Sequence, residues 1–225
     1  GVAHPFSCKV GTCLTCMARA TEGKVPARSQ KGLKPTLAAQ GYFLPCVCEP
    51  EGPLRMAGVE DADLFGRAVV SRKEILSSDV VRVWLRLATP LYYRAGQFLN
   101  LRRADGLQRS YSIASVPHLD EEVELHVKRM PNGRMSIWIF DELEVGQALD
   151  VSGPNGDCFY LPGKPDQPLL LIGTGTGLAP LIGVVRDALA SGHSGPIHLY
   201  HGARSEAGLY LSAELAGLAN GNPNL

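Results

Sequence analysis

The sequence lacks an excess of charge of either sign: 22 Lys and Arg stand against 22 Asp and Glu in 225 residues, a net charge of zero. Proteins whose main partner is nucleic acid draw most of their affinity from neutralised phosphates and carry a basic surplus, so that class is excluded. Long hydrophobic runs are missing as well. No stretch of 18 apolar residues occurs, and the first twenty residues have no charged start followed by an apolar core, so neither a membrane span nor a secretory signal is read. A soluble, cytoplasmic protein is expected. An initiator Met is missing too, since residue 1 is Gly, and the chain stops in Asn-Gly-Asn-Pro-Asn-Leu; both ends are expected to be cut.

Apolar residues are not scarce. They make up 45% of the chain, more than a disordered protein carries, and the length allows one or two ordinary domains or three small ones. Twenty-five Gly and 16 Pro imply many turns and short strands. From Asp61 to Leu161 short alternating runs are separated by Gly, Pro, Asp and Asn: Arg67–Val70, Val80–Leu87, Gln97–Leu101, Arg109–Ala114 and Glu122–Lys128. This pattern predicts an antiparallel barrel or sandwich, interrupted by one helix over Arg134–Leu143. After the Pro-rich stretch 162–168, an apolar strand (Leu169–Ile172) enters a Gly/Thr turn and then a helix with Leu178, Ile182, Val185 and Leu189 on one face. With a second strand at Pro196–Tyr200, this reads as a βαβ unit of a parallel sheet.

Five of the six cysteines fall in the first 48 residues. In a chain of this length without a signal, such crowding reads as metal binding rather than as a disulfide framework. Cys8-x4-Cys13-x2-Cys16, followed by 29 residues and Cys46, has the plant-type [2Fe–2S] spacing. Zinc ranks below the cluster, because it favours paired knuckles and only one x2 pair exists here; disulfides rank lower still. The loop 8–16 must wrap tightly around the cluster with its N–H groups aimed at sulfur, which calls for permissive residues such as Gly11 and Thr12. Lys9 and Thr12 can moderate the cluster's charge. Cys48 competes with Cys46 for the fourth position, since both point the same way on an extended segment; the spacing and the preceding Gly41-Tyr-Phe-Leu-Pro run favour Cys46. Cys48 and Cys158 then read as small buried thiols.

The first 58 residues resemble the ferredoxin domain of bacterial oxygenase reductases, which implies a β-grasp fold around the cluster. Because Cys8 comes almost at once, the N-terminal hairpin of that domain is expected to be missing. Arg109-Ser-Tyr-Ser112 alone reads as a half-buried strand with a surface Arg. Followed by Pro131-Asn-Gly-Arg-Met-Ser136 at a helix start, a good anion seat, and flanked by Gly96-Gln97 and Gly153-Pro-Asn-Gly156, it is similar to the FAD-binding barrel of the ferredoxin–NADP reductase superfamily. The resemblance implies that Arg109 clamps the pyrophosphate, Tyr111 packs on the isoalloxazine or ribityl, and Ser112, on the same strand as Ser110, sits near the flavin's N5 edge. It implies that Ser136 and the amides of Gly133 to Met135 hold the pyrophosphate, and that His126, Val127 and Lys128 line the ribityl and adenine side. A strand histidine with its own protein partner is the other reading of His126. Trp84 and Trp138 read as core.

Gly173-Thr174-Gly175-Thr176-Gly177-Leu-Ala-Pro180 follows an apolar strand and opens a helix, where glycines let backbone approach a pyrophosphate. It departs from G-x-G-x-x-G and is similar instead to the superfamily's NAD(P)H turn, in which Thr176 approaches the flavin; a plain tight strand-to-helix turn is the alternative. Arg204 could meet a 2′-phosphate or be a solvated loop residue, and the resemblance favours NADH over NADPH. The superfamily's late Cys-Gly-x-Pro motif is absent, because no Cys follows Cys158, so the third domain is expected to be incomplete.

These readings make the chain a multi-domain α+β protein: a β-grasp [2Fe–2S] domain over 1–58, an antiparallel FAD barrel over 61–162, and a partial α/β parallel-sheet NAD(P)H domain over 166–225. The order of motifs describes an electron path. A hydride brings two electrons, flavin holds two and releases them singly, and a plant-type cluster, on the order of −400 mV, takes one at a time. The resemblance implies the reductase component of an aromatic-ring dioxygenase or diiron monooxygenase, with an oxygenase or ferredoxin as acceptor, approached through the surface around 8–16. A deoxysugar-pathway reductase of the same architecture and an electron-carrier or redox-sensing module without NADH oxidation are the alternatives. No general base is named.

Overall fold

Small residues alternating with charged ones make Ala18–Glu22 an extended segment, β1; the computed structural model, which describes residues 4–58 and 64–225, pairs it on both sides. A five-residue helix, α1 (Pro35–Ala39), starts with Pro in its first turn, where the missing N–H costs nothing. It precedes β2 (Tyr42–Phe43), and β3 (Arg55–Gly58) follows. The sheet order is β2-β1-β3, antiparallel throughout, with Ala18, Phe43 and Leu44 fully buried. Asp61, the expected start of the barrel domain, lies outside the described residues.

The second sheet holds β4 (Gly66–Ile75), β5 (Val80–Leu87), β6 (Phe98–Arg102), β7 (Gln108–Ser112), β8 (Val123–Lys128) and β9 (Ala148–Asn155), in the order β7-β6-β9-β4-β5-β8. An antiparallel bridge from Ile113 to Leu125 joins the two ends, which closes the sheet into a barrel and removes its edges. The expected helix forms as α2 (Arg134–Asp141).

Two departures from the sequence reading have local causes. β4 runs ten residues rather than four, because pairing with the apolar strand β5 extends it through the polar Ser71-Arg72-Lys73-Glu74, with a bulge between Val70 and Arg72. β9 was not anticipated, since its Gly153-Pro-Asn end reads as a turn, yet Leu149 and Val151 are buried inward-facing residues of a strand. Cys158 is exposed and Cys48 half-buried, which corrects the expectation of two buried thiols. Trp84 is buried, with the Arg72 and Arg82 guanidinium groups 3.5 and 4.9 Å from its ring centroid, and Trp138 is half-buried.

The third sheet is β10 (Leu169–Thr174) parallel to β11 (Ile197–Gly202), joined by α3 (Leu178–Ala190) and followed by α4 (Ser212–Gly221). Leu169, Leu171, Ile197 and Leu199 pack with Val184, Val185 and Ala188 of α3. The alternate residues Leu170, Ile172 and Tyr200 are exposed, so the apolar strand is covered on one face only among the described residues.

The structure divides into two compact units. One holds the described residues up to Gly66 with Asn100–Ser110 and Asp150–Gly153; the other holds Arg67–Leu99, Tyr111–Leu149 and Pro154–Leu225. In the second unit, Ala179 and Ile182 of α3 form a buried cluster with Ala114. Gly183 makes this approach possible: a Cβ there would lie 2.8 Å from the Ala114 carbonyl oxygen, a backbone atom that cannot swing aside. Gly217 in α4 faces open space. Gly183→Ala is therefore expected to lower stability by about 1–3 kcal/mol despite alanine's better helix propensity, and Gly217→Ala to raise it by roughly 0.5–1 kcal/mol, both read from chemical denaturation midpoints.

Candidate functional site

The loop around Cys8 to Cys16 is bent by three left-handed residues, Lys9 (φ 59°), Gly11 (φ 78°) and Leu14 (φ 59°). Glycine adopts this conformation freely, but Lys and Leu each pay roughly 1–2 kcal/mol of strain, which the surroundings must hold in place. The bend turns donors inward. Cys8 Sγ accepts the N–H groups of Val10 (3.5 Å) and Cys13 (3.4 Å) and the Thr12 hydroxyl (3.5 Å), while Cys13 Sγ accepts the N–H of Cys8 at 3.5 Å. Burial works to raise the Cys8 thiol, but the donors from Thr12, Val10 and Cys13 outweigh it and hold the group at about 6. A thiolate is the form that binds metal.

Cys16 is buried beside Cys46, and burial together with the neighbouring thiols pushes it up to about 12. The Cys46 segment is anchored by Arg28, whose guanidinium makes two hydrogen bonds to Glu49 at 2.8 and 2.7 Å and one to the Val47 carbonyl at 3.3 Å. Hydrogen bonds thus join the thiols in pairs, Cys8 with Cys13 and Cys16 with Cys46, while Cys13 lies near enough for its charge to act on Cys16. Among the described residues no three His, Cys, Asp or Glu side chains converge on a single-ion site. Pairs suit a two-iron cluster, in which each iron takes two protein ligands, so the residues present fit [2Fe–2S]. The signal the sequence reading missed is the strain at Lys9 and Leu14, which no residue preference announces.

On β7, Arg109 Nη1 donates to the carbonyl of its neighbour Gln108 at 2.6 Å, and Ser110 Oγ donates to Asn100 Oδ1 at 2.6 Å. Tyr111 and Ser112 are half-buried. The expected flanking segments come together, because Gln97 Nε2 donates to the Gly156 carbonyl at 2.9 Å. Gly133 is the N-cap of α2, and Ser136 Oγ donates to the Gly133 carbonyl and accepts the Met130 N–H, both at 3.1 Å. The Gly133 N–H is taken by the Met130 carbonyl at 2.9 Å, but the first N–H groups of a helix lack intrahelical partners, so Arg134 to Ser136 fit a pyrophosphate seat; Met135 is buried. Lys128 Nζ pairs with Asp79 at 2.6 Å, and Val127 is buried.

His126 has the protein partners of the second reading given for it. Its side chain has no exposed surface, Nε2 lies 2.8 Å from Glu124 Oε1, and Nδ1 lies 3.1 Å from the Tyr210 hydroxyl. Both ring nitrogens are therefore occupied within the protein. Glu124 also accepts from Arg82 Nε at 2.8 Å, and Arg82 Nη1 reaches Glu214 of α4 at 2.9 Å. Burial favours the neutral Glu124 carboxyl, but the hydrogen bonds and charges of His126 and Arg82 prevail and hold it at about 2.

At the glycine turn, Gly173 lets β10 run close under α3: a Cβ there would lie 2.8 Å from Leu181 Cδ1 and 3.0 Å from backbone of Gly177. Gly175 and Gly177 face open space, a cradle that side chains would fill, so the turn fits a nucleotide pyrophosphate at the start of α3. Thr174 is exposed, Thr176 and Pro180 are half-buried, and Arg204 is exposed in the loop after β11.

Thiol loop, closed barrel and glycine turn together define an iron–sulfur flavoprotein oxidoreductase that draws on a pyridine nucleotide. Family models match in that order: the 2Fe-2S iron-sulfur cluster binding domain at residues 1–51, the oxidoreductase FAD-binding domain at 67–160 and the oxidoreductase NAD-binding domain at 171–225. The chain is 38% identical to the reductase subunit of an aromatic O-demethylase from Amycolatopsis, over 99% of this chain and 70% of that one. It is 35% identical to the ferredoxin–NAD(P)(+) reductase component of a naphthalene 1,2-dioxygenase system from Pseudomonas putida, over 100% and 70%. Among solved structures, an Amycolatopsis cytochrome P450 reductase matches with TM-score 0.70 and 36% identity over 100% of this chain and 71% of that one. A ferredoxin reductase in carbazole 1,9a-dioxygenase matches with TM-score 0.66 and 29% identity over 96% and 67%. The chain belongs to the ferredoxin–FAD–NAD(P)H reductase components of bacterial multicomponent oxygenases. Its cofactors are [2Fe–2S], FAD and NADH, and it passes electrons from nicotinamide through flavin and cluster to a protein acceptor. No helix among the described residues is long and apolar enough to cross a membrane.

Because the folded-state value of Glu124 lies below the usual 4.5, its contribution is complete above pH 4.5 and is lost as pH falls toward 2; the shift corresponds to about 3 kcal/mol. The difference in urea midpoint between wild type and Glu124→Gln should therefore be constant near neutrality and narrow as the pH is lowered through 4.5.

Proposed function

We propose that Cys8, Cys13, Cys16 and Cys46 are the cluster ligands, within a ferredoxin domain spanning 1–58. Residues 61–162 form the flavin domain and 166–225 the nucleotide domain. The observation that carries this reading is the ring of N–H and hydroxyl donors on Cys8 Sγ, which favours the thiolate in a loop strained to present it. Flavin supplies the conversion of a two-electron hydride into single electrons.

The protein's part is placement. Arg109 would hold the flavin pyrophosphate in place of the Gln108 carbonyl, and the helix-start amides up to Ser136 would serve the same group. Tyr111 packs on the ring system, with Ser110 and Ser112 on the strand beside it. Val127 and the backbone of His126 line the ribityl side, and Lys128 is held at its edge by Asp79. Gly173, Thr174, Gly175, Thr176, Gly177 and Pro180 seat the NADH pyrophosphate. Arg204 is exposed in the loop after β11, at the carboxyl end of the strand.

The acceptor is an oxygenase component or its ferredoxin, and the named relatives widen the class to demethylase systems as well as dioxygenases. None of the six cysteines is in a disulfide, which suits work in the reducing cytoplasm.

Anaerobic addition of NADH to the purified protein should bleach both the flavin and the iron–sulfur bands. Bands that stay unbleached would favour the carrier module without NADH oxidation. Cys46→Ser should lose the cluster spectrum and Cys48→Ser should keep it; the opposite result would reassign the fourth ligand. NADPH should give a kcat/KM at least ten-fold below that of NADH in steady-state assays.

A further inference from the structure

We propose that His201 is a positioning residue for the nucleotide pyrophosphate, acting through the carbonyl of Gly175 rather than by touching the ligand. This rests on reading Gly173 to Pro180 as the nucleotide turn. The register of β10 and β11 sets His201 opposite Gly173, and its Nε2 lies 3.0 Å from the Gly175 carbonyl oxygen. A carbonyl only accepts, so Nε2 carries the proton and donates. That carbonyl already accepts the N–H of Leu178, the bond that closes the turn. Forming the turn therefore does not require a second donor, and what the second donor adds is direction.

Direction matters at this residue. Gly175 has φ +52° and no neighbour within 4 Å of a Cβ position, so no side-chain packing fixes its peptide, and its orientation rests on hydrogen bonds. Peptide planarity sets C=O and N–H on opposite sides of the linkage, so holding the Gly175 carbonyl also aims the N–H of Thr176 away from His201. An amide already aimed spares the ordering cost when an anion arrives.

His201 is itself held from the barrel. Its ring packs edge-on against Tyr210 at 5.3 Å between centroids, and Tyr210 packs the same way against His126 at 5.4 Å. The Tyr210 hydroxyl is hydrogen-bonded to His126 Nδ1 at 3.1 Å, and Nε2 of His126 to Glu124 at 2.8 Å. The orientation of one glycine peptide in the nucleotide turn is thereby referred back to β8, the strand proposed to line the flavin.

The test uses the full-length protein loaded with FAD and cluster, and ADP-ribose as a redox-inert probe carrying the pyrophosphate. His201→Phe keeps a ring against Tyr210 and removes the donor; His201→Gln keeps an N–H donor. By calorimetric titration, H201F should raise the Kd of ADP-ribose about five-fold, with KM for NADH rising in step, while H201Q stays within about two-fold of wild type. If H201F does not retain FAD, His201→Met takes its place and is read in the same way. The proposal is overturned if wild type binds ADP-ribose and the donor-less variant binds it equally well, or if H201Q loses as much affinity as H201F. Wild type failing to bind ADP-ribose would instead remove the nucleotide reading itself, and the proposal with it.

Discussion

Glu124 is a carboxylate taken almost wholly out of water, and a buried charge survives only if its partners are present and well aimed. Its two partners, Arg82 and His126, stand on barrel strands, and each reaches on to the nucleotide half of the same unit: Arg82 to Glu214 in α4, and His126 to Tyr210 ahead of that helix. The carboxylate thus obliges the barrel and the nucleotide half to adopt one arrangement, because separating them would strand several buried polar groups at once. Asp120 and Arg186, joined by two 2.8 Å hydrogen bonds, fasten the same halves at a second place, and the Gly183 contact brings backbone against backbone at a third. For a reaction in which the chain contributes distance rather than acid–base chemistry, a fixed gap between flavin and nicotinamide is the catalytic requirement.

The cysteine loop solves a different problem. A protein sulfur that must carry charge next to iron needs donors around it, and a nine-residue loop can aim several N–H groups inward only by taking left-handed turns. Gly11 does so without strain, whereas Lys9 and Leu14 do so at a cost that ligand binding and local packing must offset. Thr12 completes the set with a side chain.

The chain announces most of this through spacing. The cysteine intervals, the glycine turn after an apolar strand and the alternation of β5 and β8 are local patterns, each tied to one geometry, and so they are legible. What was not legible depends on partners far away in sequence. β9 ends in Gly-Pro-Asn and is a strand because neighbours on both sides pair with it; the polar half of β4 is extended for the same reason. His126 reads equally as a ligand residue or a satisfied core residue until Glu124, two residues away, and Tyr210, 84 residues away, are seen on its two nitrogens. His201 carried no signal at all, because its role depends on a carbonyl 26 residues earlier in the chain.

The identity of the final substrate is illegible for a deeper reason. The related proteins are named for an aromatic O-demethylase, a naphthalene dioxygenase and a phenol hydroxylase, so one chain type goes with several substrates and similarity to it does not name a hydrocarbon. What meets this chain is another protein, and a zero net charge gives that encounter no long-range steering. Selection without long-range steering has to act through short-range contacts. Phe6 and Val10 are large apolar residues left 54% and 67% exposed within two residues of Cys8, with the Lys9 ammonium 4.5 Å from the Phe6 ring centroid. Such a patch gains free energy when it is covered.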